Sequence, residues 1–424
     1  MGVGVGTSNA VDGESALISA VRAGDTDLVR ILLHEDSDPD LRDAAFCLAV
    51  RMHAGHIAQL LLQYGADPGQ SRQEDLLPLS EAVDSGSPAL FEALLDHEIR
   101  GRYPESELLK ARDLARRWHE TGVEAELRRR TGSRDAIAGT PVQDDEYNSV
   151  DEFTLGGMTV RDGHGAILTY VEELLGVRTS FEELMDRALA HAGQENHTTW
   201  SSVAILLAGR RDQATWTAAA ALRTNPDPSR RLFGAEVLRL THLFDDSDED
   251  AFAGPALDMF TDWSAEETDL SVLTEVLVAL GEHIDPRAEA ALLRHAGHPD
   301  ARVRRAVAQG FISDWRSSPP AFSGDARTAL LRLMTDPDPV VRKTACHTVA
   351  AGRDNDPAFA EAMVAALDDT DRLVQLAAVY GLALRDDERC VEAARCLGPP
   401  QRGSLEEEGY LDAVWRYEWR RDRR

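Results

Sequence analysis

The sequence predicts an all-α fold, a two-part solenoid of stacked helical pairs, and three observations predict it. A short phrase recurs in the C-terminal half, an acidic turn followed by an apolar helix with an arginine one turn in, as in Asp336-Pro337-Asp338-Pro339-Val340-Val341-Arg342. Two separate landmarks recur in step along the N-terminal third. The 424 residues are 43% apolar, yet no stretch approaches the roughly 20 uninterrupted apolar residues of a membrane span. Repetition over tens of residues marks a chain whose units bury their apolar faces against one another rather than in one core.

In the N-terminal third the pairs Ala20-Val21, Ala49-Val50 and Ala82-Val83 lead to Ala115-Arg116, in steps of 29, 33 and 33 residues. The triplets Ile31-Leu32-Leu33, Leu60-Leu61-Leu62 and Ala93-Leu94-Leu95, then Glu126-Leu127, keep the same steps. In each unit the small residue lets a first helix pack closely, and a second helix presents its leucines to the neighbour. Ala20-Val21-Arg22-Ala23-Gly24-Asp25 through Leu33, and Leu61-Leu62-Gln63-Tyr64-Gly65-Ala66-Asp67-Pro68, resemble the ankyrin repeat. Gly65 suits a helix end that needs positive φ, and Pro68 stops the helix. The family's usual Thr-Pro-Leu-His opening is Ser15-Ala16-Leu17-Ile18 in the first unit and absent from the second. The resemblance covers residues 14–130.

Residues 131–165 lose the repeat. Gly132-Ser133, Gly139-Thr140-Pro141, Asp144-Asp145-Glu146 and Gly156-Gly157 crowd together, which predicts an acidic, loop-rich junction with a hinge near residue 150. The period then becomes helical from Ala166 to Leu175, ended by Gly176, and again from Phe181 to Leu189.

The second array is expected over 166–400, with a capping helix and a basic-aromatic tail over 401–424. Its landmark aspartates, Asp227, Asp269, Asp300, Asp338 and Asp371, are 42, 31, 38 and 33 residues apart. In three units arginine follows four residues later, giving the pairs Asp227/Arg231, Asp300/Arg304 and Asp338/Arg342; Leu273 and Gln375 stand in that place in the other two. An aspartate before a helix caps its free N–H groups, and an arginine one turn on reaches that carboxylate or the next unit's, giving a structural ladder. Asp300-Ala301-Arg302-Val303-Arg304-Arg305-Ala306 and Asp338-Pro339-Val340-Val341-Arg342-Lys343-Thr344-Ala345 are similar to HEAT repeats, bilin-lyase-type repeats among them. That resemblance implies antiparallel helix pairs in a curved superhelix, with the second helix of each pair on the concave side. It implies architecture and almost nothing about chemistry.

A formal charge of −29, from 74 acidic against 45 basic residues, disfavours non-specific attraction to nucleic acid or anionic lipid. Lys110 and Lys343 are the only lysines. Cys47, Cys346, Cys390 and Cys396 are too scattered for a disulfide framework or a zinc site, which points to a cytoplasmic protein. The N-terminus lacks the basic and apolar regions of a secretory signal and misses the myristoylation pattern at Gly6.

The chemistry-bearing candidates reduce to packing. His34-Glu35, His97-Glu98, His119-Glu120 and Glu282-His283 bear on the His-Glu ligands of HEAT-type di-iron hydroxylases, but three of them lie in the ankyrin-like part and none extends to His-Glu-x-x-His. Cys346 and His347 are adjacent on a helix and point about 100° apart. Gly163-His164-Gly165 reads as a short turn. Trp200, Trp216, Trp263 and Trp315 read as inter-repeat packing, with one or two free to serve as binding anchors. In the tail, Trp415, Tyr417, Trp419 and Arg420 fit a terminal capping helix and are also the candidate partner contacts. No catalytic, cofactor or metal residue is assigned. The function expected is a non-enzymatic protein-interaction scaffold that binds a partner, of basic character given the acidic field, on a concave surface. A HEAT-type lyase or ligand-binding accessory for a tetrapyrrole or natural product is the alternative. A HEAT-like DNA glycosylase relative is disfavoured by the charge.

Overall fold

The structure is a computed structural model that describes residues 15–34, 38–67, 79–95, 101, 103–194, 196–243, 251–311, 321–401, 404–421 and 423. Glu35, Pro68, His97-Glu98 and Trp315, singled out above, lie outside the described residues. The chain divides into two compact units, Met1–Leu206 and Leu207–Arg424.

The first unit opens with helix pairs α1 (Ala16–Ala23) and α2 (Thr26–His34), α3 (Pro39–Arg51) and α4 (Gly55–Gln63), α5 (Leu79–Ser85) and α6 (Pro88–Leu94), α7 (Glu105–Thr121) and α8 (Val123–Thr131). The helices start where the chain supplies caps: Asp38 accepts the Asp40 N–H ahead of Pro39, and Ser87 Oγ accepts the Leu90 N–H ahead of Pro88. Gly65 takes φ +80°, as expected of a left-handed helix end. Ala20, Val21, Ala49, Val50, Ala82, Val83 and Ala115 all sit on first helices and are buried, so the stepped landmarks are the contact points of stacked pairs. The leucine runs fall on second helices; in α2 only Leu33 of its triplet is buried and Ile31 is exposed.

Residues 131–165 correct the loop-rich expectation. They form an antiparallel meander of β1 (Thr140–Gln143), β2 (Ser149–Leu155) and β3 (Met158–Arg161), in the order β1-β2-β3. Gly156 and Gly157 both have positive φ and close a two-residue hairpin, so they are a turn signal rather than a linker. The Asp145 carboxylate accepts the N–H groups of Tyr147 and Asn148 and closes the other turn. Val150, Leu155 and Val160 are buried. Gly86 (φ +69°) lets the end of β3 dock: a Cβ there would lie 1.9 Å from the Arg161 carbonyl oxygen, and Gly163 N–H donates to Gly86 O. The helices expected at Ala166–Leu175 and Phe181–Leu189 are α9 (His164–Leu174) and α10 (Phe181–Leu189). They pack within the first unit, α9 against α6 and α7, although the sequence assigned both to the second array. The unit closes in α11 (Thr198–Gly209).

The second unit comprises α12 (Gln213–Ala221), α13 (Pro228–Leu243), α14 (Ala253–Glu266), α15 (Leu270–Gly281), α16 (Pro286–His295), α17 (Ala301–Gly310), α18 (Gly324–Leu333), α19 (Pro339–Gly352), α20 (Pro357–Ala366), α21 (Arg372–Leu384), α22 (Arg389–Leu397) and α23 (Leu405–Arg421). Odd-numbered helices from α13 to α23 stack in series as one layer, and α14, α16, α18 and α20 stack as a second. This is the two-layer build of an alpha solenoid. The landmark aspartates precede the odd-numbered helices, and four of them cap them: Asp269 (α15), Asp300 (α17), Asp338 (α19) and Asp371 (α21). Asp227 accepts the Ser229 N–H at the start of α13 in the same way. Small residues set the spacing between successive helices of one layer: a Cβ on Gly281 of α15 would lie 2.4 Å from Gly310 Cα of α17.

Candidate functional site

The ladder has a different pairing from Asp/Arg within one unit. Arg231 donates Nε and Nη2 to Glu267 at 2.9 and 2.9 Å, Arg304 to Asp336 at 2.7 and 2.8 Å, and Arg342 to Asp369 at 2.7 and 2.7 Å. Each acceptor lies two residues before the next unit's landmark aspartate and takes that aspartate's backbone N–H as well. The third guanidinium nitrogen, Nη1, closes its own loop by donating to two carbonyls, Asn225 and Pro226, His298 and Pro299, or Asp336 and Pro337. One arginine therefore ties its own turn and the following one, and the planar fork is why arginine serves here. The Arg342 guanidinium holds the Asp369 carboxyl below the usual carboxylate range, against an opposing effect of burial.

The exceptions are matched on both sides. Leu273 replaces the arginine and is buried, and the residue two before the next landmark is His298, whose Nδ1 accepts the Asp300 N–H in place of a carboxylate. Gln375 keeps the loop-closing half, donating to the carbonyls of Leu367 and Asp369. Arg372 supplies the outer half, reaching Glu407 and the carbonyls of Leu397 and Pro399. The six ladder residues thus sit at helix starts and between repeats, where they hold units together.

Of the tail residues, Tyr417 is buried and Arg420 donates to the Ala383 carbonyl and Asp386, so both are anchored to the fold. Trp415 and Trp419 are 61% and 48% exposed, one turn apart on α23. The Arg423 guanidinium lies 3.7 Å from the Trp419 ring centroid, a cation–π contact. Trp263 is core and joins a rung by donating to Glu267, and Trp216 stacks on Phe252.

Three units of the odd-numbered layer together enclose an open cavity of about 590 Å³. Arg305 and Gln309 come from α17, Lys343 and His347 from α19, and Glu406 and Tyr410 from α23. Lys343 Nζ is 2.8 Å from Glu406, which also accepts the Tyr410 hydroxyl; His347 stacks on Tyr380. Burial lowers the His347 pKa, with the Glu406 carboxylate acting the other way, so the groove is lined by a neutral imidazole near pH 7. Arg305 is exposed.

The first unit holds a histidine cluster that sequence reasoning missed. Asp162, His191 and His197 place ligand atoms within 4.8 Å of one another. Their hydrogen bonds do not fit a metal. His197 Nδ1 accepts the Thr199 N–H, so Nε2 carries the proton and donates to Asp162 at 3.0 Å, whereas a metal-bound histidine uses its second nitrogen as a donor. His191 Nδ1 donates to Gln194 Oε1, whose amide nitrogen is committed to Asp151. The two rings stack at 3.6 Å, and burial and the neighbouring His197 bring the His191 pKa down to about 4. The cluster is a hydrogen-bonded latch that pins His191, Gln194 and His197 to the meander through Asp151 and Asp162. His164, read as part of a turn, is buried and stacks on Trp118, which also carries the Arg130 guanidinium over its ring. His119 is half-buried, and His34 meets the Tyr64 hydroxyl at 2.7 Å. Among the described residues no helix is long and apolar enough to cross a membrane.

Two family models match the repeat architecture. A model of ankyrin repeats in three copies matches residues 2–72 and 17–103, and a HEAT-repeat model matches residues 315–397. A search of curated proteins finds no match. Among solved structures, the Escherichia coli protein YibA is 17% identical, with 56% of this chain and 93% of that one covered and a TM-score of 0.39. Kap121p, solved bound to Ste12p, is 14% identical, with 95% of this chain covered and a TM-score of 0.41; the chain spans 42% of its length. The chain carries ankyrin repeats toward its N-terminal end and HEAT repeats toward its C-terminal end.

Proposed function

We propose that this chain is a non-enzymatic, cytoplasmic protein-interaction scaffold that holds a partner along the concave side of its second unit. One observation carries the reading. The groove lined by Arg305, Lys343, His347 and Tyr410 is assembled from three separate helices of the stack, so it is an extended surface rather than a pocket within one repeat. Ankyrin and HEAT repeats typically mediate protein–protein binding. The partner we infer is basic. The net charge of −29 accelerates encounter with a cationic partner, and Lys343 inside the groove is already matched by Glu406. Exposed Trp415 and Trp419 are the anchors of the tail.

The test is quantitative capture with the full chain, its Gln309→Arg/His347→Arg variant, which adds positive charge at two exposed residues of the groove, and rebinding of the recovered partner in purified form. The variant should melt like wild type and lose the partner by about tenfold or more. Association should slow between about 0.05 and 0.3 M salt. Recovery of a small molecule bound in the groove, with no protein retained, refutes the scaffold and favours the ligand-binding accessory, for which the cavity volume has room.

A further inference from the structure

The meander in the first unit has one blocked edge and one open edge. Asp144 N–H donates to Asn148 O and Asp162 N–H to Asp151 O, and these bonds fix the phase of both ladders. In β1, residues 140 and 142 face β2, so residue 141 turns its backbone outward; it is Pro141, which has no N–H to offer. In β3, residues 158 and 160 face β2, so Thr159 and Arg161 turn their backbone groups outward. The Arg161 carbonyl is covered by Gly86, and among the described residues nothing pairs with the outward backbone of Thr159.

Beside that edge, between α5 and β3, lies a cavity of about 450 Å³. Glu81, Asp84 and Glu152 line it with Arg161; Asp84 is held by Arg130 and Trp118 and Glu152 by Arg161, so Glu81 is the acid that faces an incoming cation. Met52 and Met158 supply apolar surface. Glu81 is exposed. An edge with unpaired donors, an adjoining trough and an acidic wall has the chemistry of strand addition.

We propose that β3 receives an extended, basic segment of a protein partner as a fourth antiparallel strand, with the residue opposite Thr159 exchanging both backbone bonds and a flanking lysine or arginine meeting Glu81. β3 spans about 13 Å, so the paired core is about four residues long. This rests on the scaffold reading and gives it a second contact, on the first unit, of defined chemistry.

The probe is a labelled, end-capped short peptide of alternating lysine and valine, titrated into the full chain by fluorescence anisotropy. Saturable binding is expected, and N-methylation of alternate backbone nitrogens should weaken it by about tenfold or more, since it removes strand donors without changing charge. Thr159→Pro should weaken it equally with little change in melting temperature, because residue 159 gives no backbone bond to β2 and its side-chain bond to Thr154 lies exposed. Glu81→Lys should weaken it and flatten its salt dependence. No saturable binding up to about 1 mM peptide, or equal binding of the methylated peptide, overturns the proposal and needs no variant to fold. A protein partner retained alike by wild type and Thr159→Pro also overturns it while leaving the scaffold standing. Retention of no partner at all counts against the scaffold, and the peptide still decides the edge.

Discussion

Replacing Arg304 by methionine tests whether the rungs hold the array. Arg304 makes four bonds, two to Asp336 and two to the carbonyls of His298 and Pro299, and both charged side chains are nearly out of solvent. Methionine keeps the stem and deletes the fork. It leaves the Asp336 carboxylate in place with only the Asp338 N–H as partner. Breaking such a pair costs about 3–5 kcal/mol, and the surviving N–H puts the expectation near 3 kcal/mol. Arg302→Met is the control, because Arg302 is 62% exposed and pairs only with Asp300; its cost should stay below about 1 kcal/mol. Urea unfolding followed by circular dichroism gives the totals, and hydrogen exchange should place the loss in α16 to α19, since a solenoid unit answers to its neighbours. The pH dependence has a defined sign. Burial pushes the Asp336 carboxyl up, and Arg304 with the Asp338 N–H more than reverses this. A depressed folded pKa gives stability that is present above about pH 4 and lost as pH falls through the folded value, so the gap to the variant closes in acid. Equal costs for Arg304→Met and Arg302→Met, or strict additivity of Arg304→Met with Asp336→Asn, would refute the reasoning.

Three further outcomes are expected. Burial, with the Asp144 and Asp145 carboxylates adding to it, pushes Glu92 up to about 7. A raised folded pKa gives stability present below about 4.5 and lost as pH rises through 7, so Glu92→Gln should gain about 3 kcal/mol at pH 8 and a few tenths near pH 4.5, read from denaturation midpoints. Gly86→Ala must displace the Arg161 carbonyl at positive φ and should cost more than about 2 kcal/mol, whereas Gly24→Ala, with open space around it, should cost about 1. Arg372→Met should raise hydrogen exchange across α23, and Gln375→Met should not, because only Arg372 reaches Glu407.

The helices were legible where a physical rule acts within a few residues. Caps at Asp300 and Asp338, the glycine end at Gly65 and the stepped alanines all depend on local geometry, and each lies where the pattern puts it. The rungs were half legible: an arginine four residues after an aspartate is visible, but its acceptor 27–36 residues away depends on how repeats stack. The meander was misread because its acidic turns outweighed a short alternation, although Gly156-Gly157 after Ser149–Leu155 is a hairpin signal. His191 and His197 are six residues apart with no periodic meaning; they stack because Gln194 and His197 are held by Asp151 and Asp162, far away in sequence. The edge chemistry at Thr159 depends on ladder phase, and one backbone bond decides it.

The missing rung between α15 and α17 has a consequence for the second unit in acid. Between α15 and α17 adhesion comes from apolar burial and from the near-contact of Gly281 with Gly310, and His298 rather than a carboxylate takes the Asp300 N–H. The joints at Glu267, Asp336 and Asp369 all depend on carboxylates that must stay ionised. Lowering the pH therefore loosens those three seams, together with the Arg372–Glu407 joint between α21 and α23, more than the seam between α15 and α17. The seam between α15 and α17 has no carboxylate rung to lose, so the array softens first at its other joints rather than evenly from its ends.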